Sequence, residues 1–164
     1  MIRSIWLITG KVLYWVMWPF LFIFIRGSSR TRVLVIYDNK LLAIKGWLGS
    51  GGWQLPGGGI KRNESPIFGA MRELTEETGL VVSDKELQLL LDGVKTQQNG
   101  ISYQLYAYQV TLDAKPSLKL HWFEVSDSRW IKVSEFVSDE LIKCNTDIQQ
   151  VVQAFYKKCN LLDY

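Results

Sequence analysis

The chain has 164 residues, 48% hydrophobic and 21% charged, which is enough apolar material for one ordinary domain and too much for a disordered one. The 19 Lys and Arg outnumber the 16 Asp and Glu, but residues 1–32 hold five of the basic residues and no acid, leaving 14 against 16 beyond them. That slightly acidic body is a poor electrostatic match for generic nucleic-acid binding, so no nucleic-acid partner is expected, and a single histidine, His121, excludes a His-rich metal site.

Residues 4–25 read SIWLITGKVLYWVMWPFLFIFI, with Lys11 as the only charge. As a helix rising about 1.5 Å per residue the segment reaches roughly 33 Å, against a hydrocarbon core of about 30 Å. Lys11 can snorkel from near its N-terminal end, and Trp6, Trp15 and Trp18 suit an interfacial belt. A signal peptide fits less well, because Lys11 interrupts the apolar run and no A-x-A-like cleavage site follows. An interfacial helix would be two-faced, and a buried one would need a larger core than the rest of the chain supplies. The expectation is a membrane anchor over residues 4–25. Arg26, Arg30 and Arg32 outweigh Arg3, which places the following domain on the cytoplasmic side. Residues 1–29 then form the anchor and a polar joint, Gly27-Ser28-Ser29, and residues 30–164 form the catalytic domain.

Beyond the joint, Arg32–Asp38 and Leu41–Trp47 read as a hairpin about an Asp-Asn-Lys turn. Gly49 to Gly59 is a glycine-dense loop. Ser65-Pro66 starts a helix, with Ser as cap and Pro at the first helical position, and Gly79 followed by Leu80 stops it. Strands are expected at Leu87–Thr96, Ser102–Leu112 and Leu118–Val125, with Asn99-Gly100 turning between the first two, and a short strand at Arg129–Val133. Ile148, Val151, Val152 and Phe155 recur at helical spacing and mark a closing helix over Asp147–Lys158. The fold class is α/β, with a mixed sheet between helices. Cys144 and Cys159 lack zinc-ligand or C-x-x-C spacing and read as free thiols of a reducing compartment.

On the Ser65–Gly79 helix, Ile67, Ala70, Met71, Leu74 and Thr78 make one core-facing stripe. Glu73, Glu76 and Glu77 stand at i, i+3 and i+4 and share a second stripe beside it, where their like charges repel. Such a stripe is commonly a solvated acidic face. Here it follows Gly57-Gly58-Gly59, whose backbone can approach a phosphate closely and present N–H groups to it. Hard oxygen ligands gathered on one helix suit Mg²⁺ or Mn²⁺, which relieve the repulsion and bridge to phosphate oxygens. The pairing points to a metal-assisted phosphoryl or pyrophosphoryl reaction.

The run Gly58-GIKRN-Glu64-SPIFGAM-Arg72-Glu73-Leu74-Thr75-Glu76-Glu77-Thr78-Gly79-Leu80 resembles the Nudix box, G-x5-E-x7-R-E-U-x-E-E-x-G-U with U aliphatic, and fills every fixed position. Trp53-Gln54-Leu55-Pro56-Gly57-Gly58 is similar to the family's W-x-L-P-G-G entry, and the resemblance covers roughly residues 32–160. It implies a Nudix fold and metal-dependent hydrolysis of a nucleoside diphosphate derivative or related diphosphate by water attack at phosphorus.

Carried over residue by residue, the resemblance implies Glu73, Glu76 and Glu77 as ligands of Mg²⁺ or Mn²⁺, one of Glu76 and Glu77 also orienting or deprotonating water. Arg72 would hold the carboxylates, supported by Glu64. Gly57, Gly58, Gly59 and Trp53 are expected at the substrate, and Glu124, then Asp127, are the candidates for a distal acid. Lys61 and Arg62 stand where the family often has an acid. Tyr103 and Tyr106 could stack a base, although core packing is the commoner use of such residues. The expected partner is a small-molecule diphosphate, either nucleotide or, given the anchor, lipid-linked. Competing readings are a non-catalytic ligand-binding module, which a missing carboxylate would signal, and an RNA 5′-pyrophosphohydrolase, which the acidic body disfavours.

Overall fold

In a computed structural model the described residues are 27–46, 52–98, 100–121, 123–138 and 146–162. Among these residues six strands and three helices follow in the order β1 (Ser29–Tyr37), β2 (Lys40–Gly46), β3 (Trp53–Gln54), α1 (Pro66–Thr78), β4 (Gln88–Gln98), β5 (Ile101–Thr111), β6 (Val125–Lys132), α2 (Val133–Ser138) and α3 (Thr146–Leu162). The strands form one mixed sheet, ordered β3-β2-β1-β5-β4, with β6 also paired to β2. β1 and β5 run parallel and every other pairing is antiparallel.

Alternation along β1 and β5 divides the core into two layers. Val33, Val35, Tyr108 and Val110 face one side and pack with Ala70 and Leu74 of α1. Leu34, Ile36, Leu105 and Ala107 face the other and pack with Phe136 of α2 and Ile148, Val151 and Val152 of α3. The sheet therefore lies between helices, as the sequence leads one to expect. Leu34, Leu41, Leu42 and Leu74 are completely buried, and burying a side chain of that size is worth about 1.5–3 kcal/mol.

β1 and β2 part after a tight turn in which Asp38 and Asn39 both take positive φ, the pairing twist that suits a two-residue hairpin. The gap that opens between them is filled by β3 and the glycine loop. The loop runs along β1: Thr31 N–H donates to Gly58 O at 2.9 Å, Val33 N–H to Pro56 O at 2.8 Å, and Ile60 N–H to Ser29 O at 2.9 Å. Gly57 has φ +138°, and a Cβ there would meet the backbone of Thr31 and Arg32. Only glycine lets the loop lie this close to the strand.

Three expectations are corrected. Leu118–Val125 is not a strand: among its described residues regular pairing starts only at Val125. Lys119 N–H instead donates to Thr78 O at 2.8 Å and His121 N–H to Glu77 O at 3.3 Å, so the segment spends its backbone donors on the end of α1. The first strand starts at Ser29, three residues early, because residues 29–31 pair with β5. The hydrophobic helix expected over residues 4–25 lies outside the described residues, as does Cys144. Among the described residues no helix is long and apolar enough to cross a membrane. The longest, α3, has 17 residues, about 25 Å against a core of about 30 Å, and one face of it packs on the sheet. The expected membrane-anchored chain, with its catalytic domain facing the cytoplasm and a membrane as partner, is corrected accordingly.

Candidate active site

α1 positions the carboxylates. Ser65 is extended and Pro66 opens the helix, while Gly79 closes it in the left-handed region with its N–H on Thr75 O. Ser65 makes no side-chain cap bond; the preceding Glu64 instead accepts from Lys61 N–H at 2.8 Å, which fixes the loop leading in. The buried stripe of the helix is Gly69, Ala70, Leu74, Glu77 and Thr78. Glu77 thus lies on the core side of the acidic stripe.

Arg72 organises the other acids. Its Nε and Nη2 donate to the two oxygens of Glu64 at 2.8 and 2.9 Å, a fork-to-fork pair. Nη1 donates to Glu73 Oε1 at 2.8 Å and Glu76 Oε2 at 2.9 Å, and Nη2 also reaches Gly59 O at 2.9 Å. The hydrogen bonds from Arg72 hold the Glu64 carboxyl down at about 2, and the Arg72 guanidinium is in turn raised, chiefly by Glu64. A lysine has neither the planar fork nor the five donors for this arrangement.

Glu77 is tied to the glycine loop, its Oε2 accepting from Gly57 N–H at 2.8 Å. Burial pushes its carboxyl up to about 8, against the Gly57 hydrogen bond and the charge of Arg32, with Glu73 and Glu124 adding to the rise. Gly58 meets Glu73 directly: a Cβ there would stand 2.6 Å from the Glu73 carboxyl carbon. All three box carboxylates and Gly57, Gly58 and Gly59 open on one cavity of about 360 Å³.

Glu73, Glu76 and Glu77 fit a divalent cation in donor type and in facing one cavity. Glu77, a buried carboxyl displaced upward, is the group with most to gain from a positive neighbour. Among the described residues no three acids are gathered tightly enough to hold an ion as they stand; Arg72 stands between Glu73 and Glu76, and Glu77 leans to Gly57.

Glu124 also lines the cavity and is exposed at its mouth, whereas Asp127 is exposed on β6 with its carboxylate turned to Ser128 N–H. Trp53 departs from expectation. Gln54 lines the cavity, and its partner Ile44 belongs to the α1 layer. Trp53, one residue earlier, faces the opposite layer, with Arg129 5.3 Å and Lys45 6.0 Å from its ring. It does not line this cavity. Tyr103 is buried in the α3-side core and donates to Gln98 Oε1 at 3.1 Å, and Tyr106 packs partly buried on the α1 side. Lys61 Nζ lies 3.8 Å from Glu76 Oε1.

The sequence reading missed Arg30 and Arg32, both of which line the cavity from β1. Arg32 Nε donates to Asp147 Oδ2 at 2.9 Å, and its Nη1 to Gly57 O at 2.6 Å. Burial alone would depress the Arg32 guanidinium, but the adjacent Asp147 outweighs it and holds it up. The signal available was two arginines at i, i+2 entering a buried strand, and so on one face of it.

A family model described as NUDIX domain matches residues 28–155. A MutT-like protein of Streptomyces ambofaciens is 46% identical over 63 residues, 38% of this chain and 40% of that protein. An RNA pyrophosphohydrolase of Saccharophagus degradans is 54% identical over 55 residues, 34% of this chain and 32% of that protein. The matched segments thus span less than half of these curated relatives. Among solved structures, the MutT protein of Methanosarcina mazei superposes with a TM-score of 0.67 at 18% identity, covering 81% of this chain and 96% of that one, a likeness of fold.

Proposed function

The chain belongs to the NUDIX family, and from that premise we propose that it hydrolyses a diphosphate linkage in a nucleoside diphosphate derivative or related diphosphate. The observation that carries this reading is the convergence of Glu73, Glu76 and Glu77 on one cavity beneath the glycine loop, with Arg72 and Glu64 fixing two of them from behind. Family members use divalent metal ions; here Glu73, Glu76 and Glu77 would hold Mg²⁺ or Mn²⁺, which when bound polarises phosphoryl oxygens and makes water a better nucleophile. Arg72 sets the spacing of Glu73 and Glu76. Glu77 takes up the attacking water's proton or orients that water, its position fixed by Gly57 N–H. The loop backbone lets the diphosphate approach the helix, and Glu124 at the mouth is the candidate distal acid.

A second reading, an RNA 5′-pyrophosphohydrolase, is favoured by the relatives of that name. The chemistry at phosphorus would be the same, with a nucleic-acid chain as the leaving portion.

The test is hydrolysis of nucleoside diphosphate derivatives and of 5′-triphosphorylated RNA with Mg²⁺, compared with E77Q and metal-free controls. Metal-dependent turnover that E77Q reduces at least about a hundredfold is expected. No turnover on any substrate, with ligand binding retained, would replace the hydrolase by a binding module.

A further inference from the structure

We propose that Arg30 is a phosphate-binding residue, holding the phosphoryl group of the substrate that lies away from the acidic wall of the cavity. The ligand's identity as a diphosphate rests on the hydrolase reading; the role of Arg30 rests on its surroundings.

Arg30 and Arg32 point from the same face of β1 into one cavity, yet they are partnered differently. Arg32 is bonded to Asp147 and Gly57. Arg30 makes no hydrogen bond or ion pair through its side chain among the described residues. Its guanidinium carbon lies 5.8 Å from the Tyr103 ring centre, a contact that gives its five N–H donors no hydrogen-bond acceptor. Burial, and then the charge of Arg32, depress its pKa. An arginine stays charged regardless, so this is a cation kept partly from water with no carboxylate bonded to it, Asp147 and Glu73 acting on it through their charge alone.

The charge balance of the cavity supplies the reason. Glu73, Glu76, Glu77 and Glu124 form its acidic side. Asp147 is bonded to Arg32, which leaves Arg30 as the cation without a bonded acid among the described residues lining it. A diphosphate that has bridged to a divalent cation still carries net negative charge on its other oxygens. Those oxygens need a donor away from the carboxylates, and a guanidinium fork matches two of them at once. The backbone supports the placement: Arg30 is bridged to Gly59, so the guanidinium springs from the strand that carries the glycine loop.

The probe is methylenediphosphonate, a diphosphate that cannot be hydrolysed, titrated with Mg²⁺ into the full chain by calorimetry. R30Q is expected to weaken binding about tenfold to a hundredfold, the loss of a charge-assisted contact, with R30K intermediate. The Arg30 Nε–H resonance of the unmodified chain should shift on titration. A lowered melting temperature in R30Q with unchanged affinity would make the contact with Tyr103 its whole role and overturn the proposal. So would an unmoved Nε–H resonance, which decides the matter even if R30Q fails to fold, or no binding of the probe by the unmodified chain. Diphosphonate binding through Arg30 without hydrolysis of any diphosphate ester would sustain this inference and end the hydrolase reading. Hydrolysis with the same KM in R30Q would do the reverse.

Discussion

Arg32 on the first strand and Asp147 on the last helix, 115 positions apart, meet as a buried ion pair with Nε 2.9 Å from Oδ2. The same guanidinium holds Gly57 O, and Gly57 N–H holds Glu77. The closing helix is thereby linked through two side chains and one peptide to a candidate catalytic carboxylate. Removing the acid alone strands a buried cation, so D147A is expected to destabilise the fold by about 3–5 kcal/mol in urea denaturation. A loss below about 1 kcal/mol would mean that Arg32 finds solvent or another anion.

Gly58 and Gly57 answer to different constraints, and alanine separates them. At Gly58 the obstacle is the Glu73 carboxylate at 2.6 Å, and no unusual φ is required. G58A should therefore keep its melting temperature within a few degrees and lose activity about a hundredfold, since a displacement of about 1 Å in a reacting group costs that much. G57A meets fixed backbone at φ +138° and should lose stability first. Thermal melts beside turnover rates distinguish the two.

R72K keeps the charge and loses the fork. The bidentate grip on Glu64 and the bridge between Glu73 and Glu76 cannot both survive on one ammonium. A fall of tenfold to a hundredfold in metal affinity, read by calorimetry with Mn²⁺, is expected. Unchanged affinity would mean that the carboxylates hold their places without Arg72.

Two carboxyls should give the metal-free protein opposite pH responses. Glu64 is held by Arg72 at about 2, below its ordinary 4.5, so its contribution is full above 4.5 and lost as pH falls toward 2. Glu77 is raised by burial to about 8, so its contribution is full below 4.5 and lost as pH rises through 8. Denaturation midpoints between pH 2 and 9 should fall at both ends. E77Q should flatten the alkaline arm alone, and a divalent cation added at pH 8 should restore stability to the unmodified chain. An alkaline arm unaffected by E77Q would remove burial of Glu77 as its cause.

The helix was legible in the sequence because its determinants are local: Pro66 opens it, Gly79 closes it, and Arg72, Glu73, Glu76 and Glu77 sit within two turns. The two layers of the sheet were legible for the same reason, as alternation in β1 and β5 registers within a few residues. What escaped depends on distance along the chain. Nothing near Arg32 announces Asp147, so Arg30 and Arg32 read as a basic flank to the apolar N-terminal segment when they are walls of the cavity. Gln54 lines the cavity and its neighbour Trp53 does not, a distinction that residue type alone does not reveal. The segment before Val125 has strand-like residues, but the end of α1 claims its backbone donors first.

The pairing of the glycine loop along β1 has a consequence for how damaged forms of the chain would behave. Residues 29–33 have β5 on one side, and on the other the loop is what occupies their N–H and C=O groups. If substitutions lift the loop, they uncover a strand edge at the border of a Val- and Leu-rich run. Bare edges of that kind recruit other strands. Variants of this loop should then be lost from solution by self-association as well as by inactivity. Selection on the loop would act through solubility even where the chemistry is not being used.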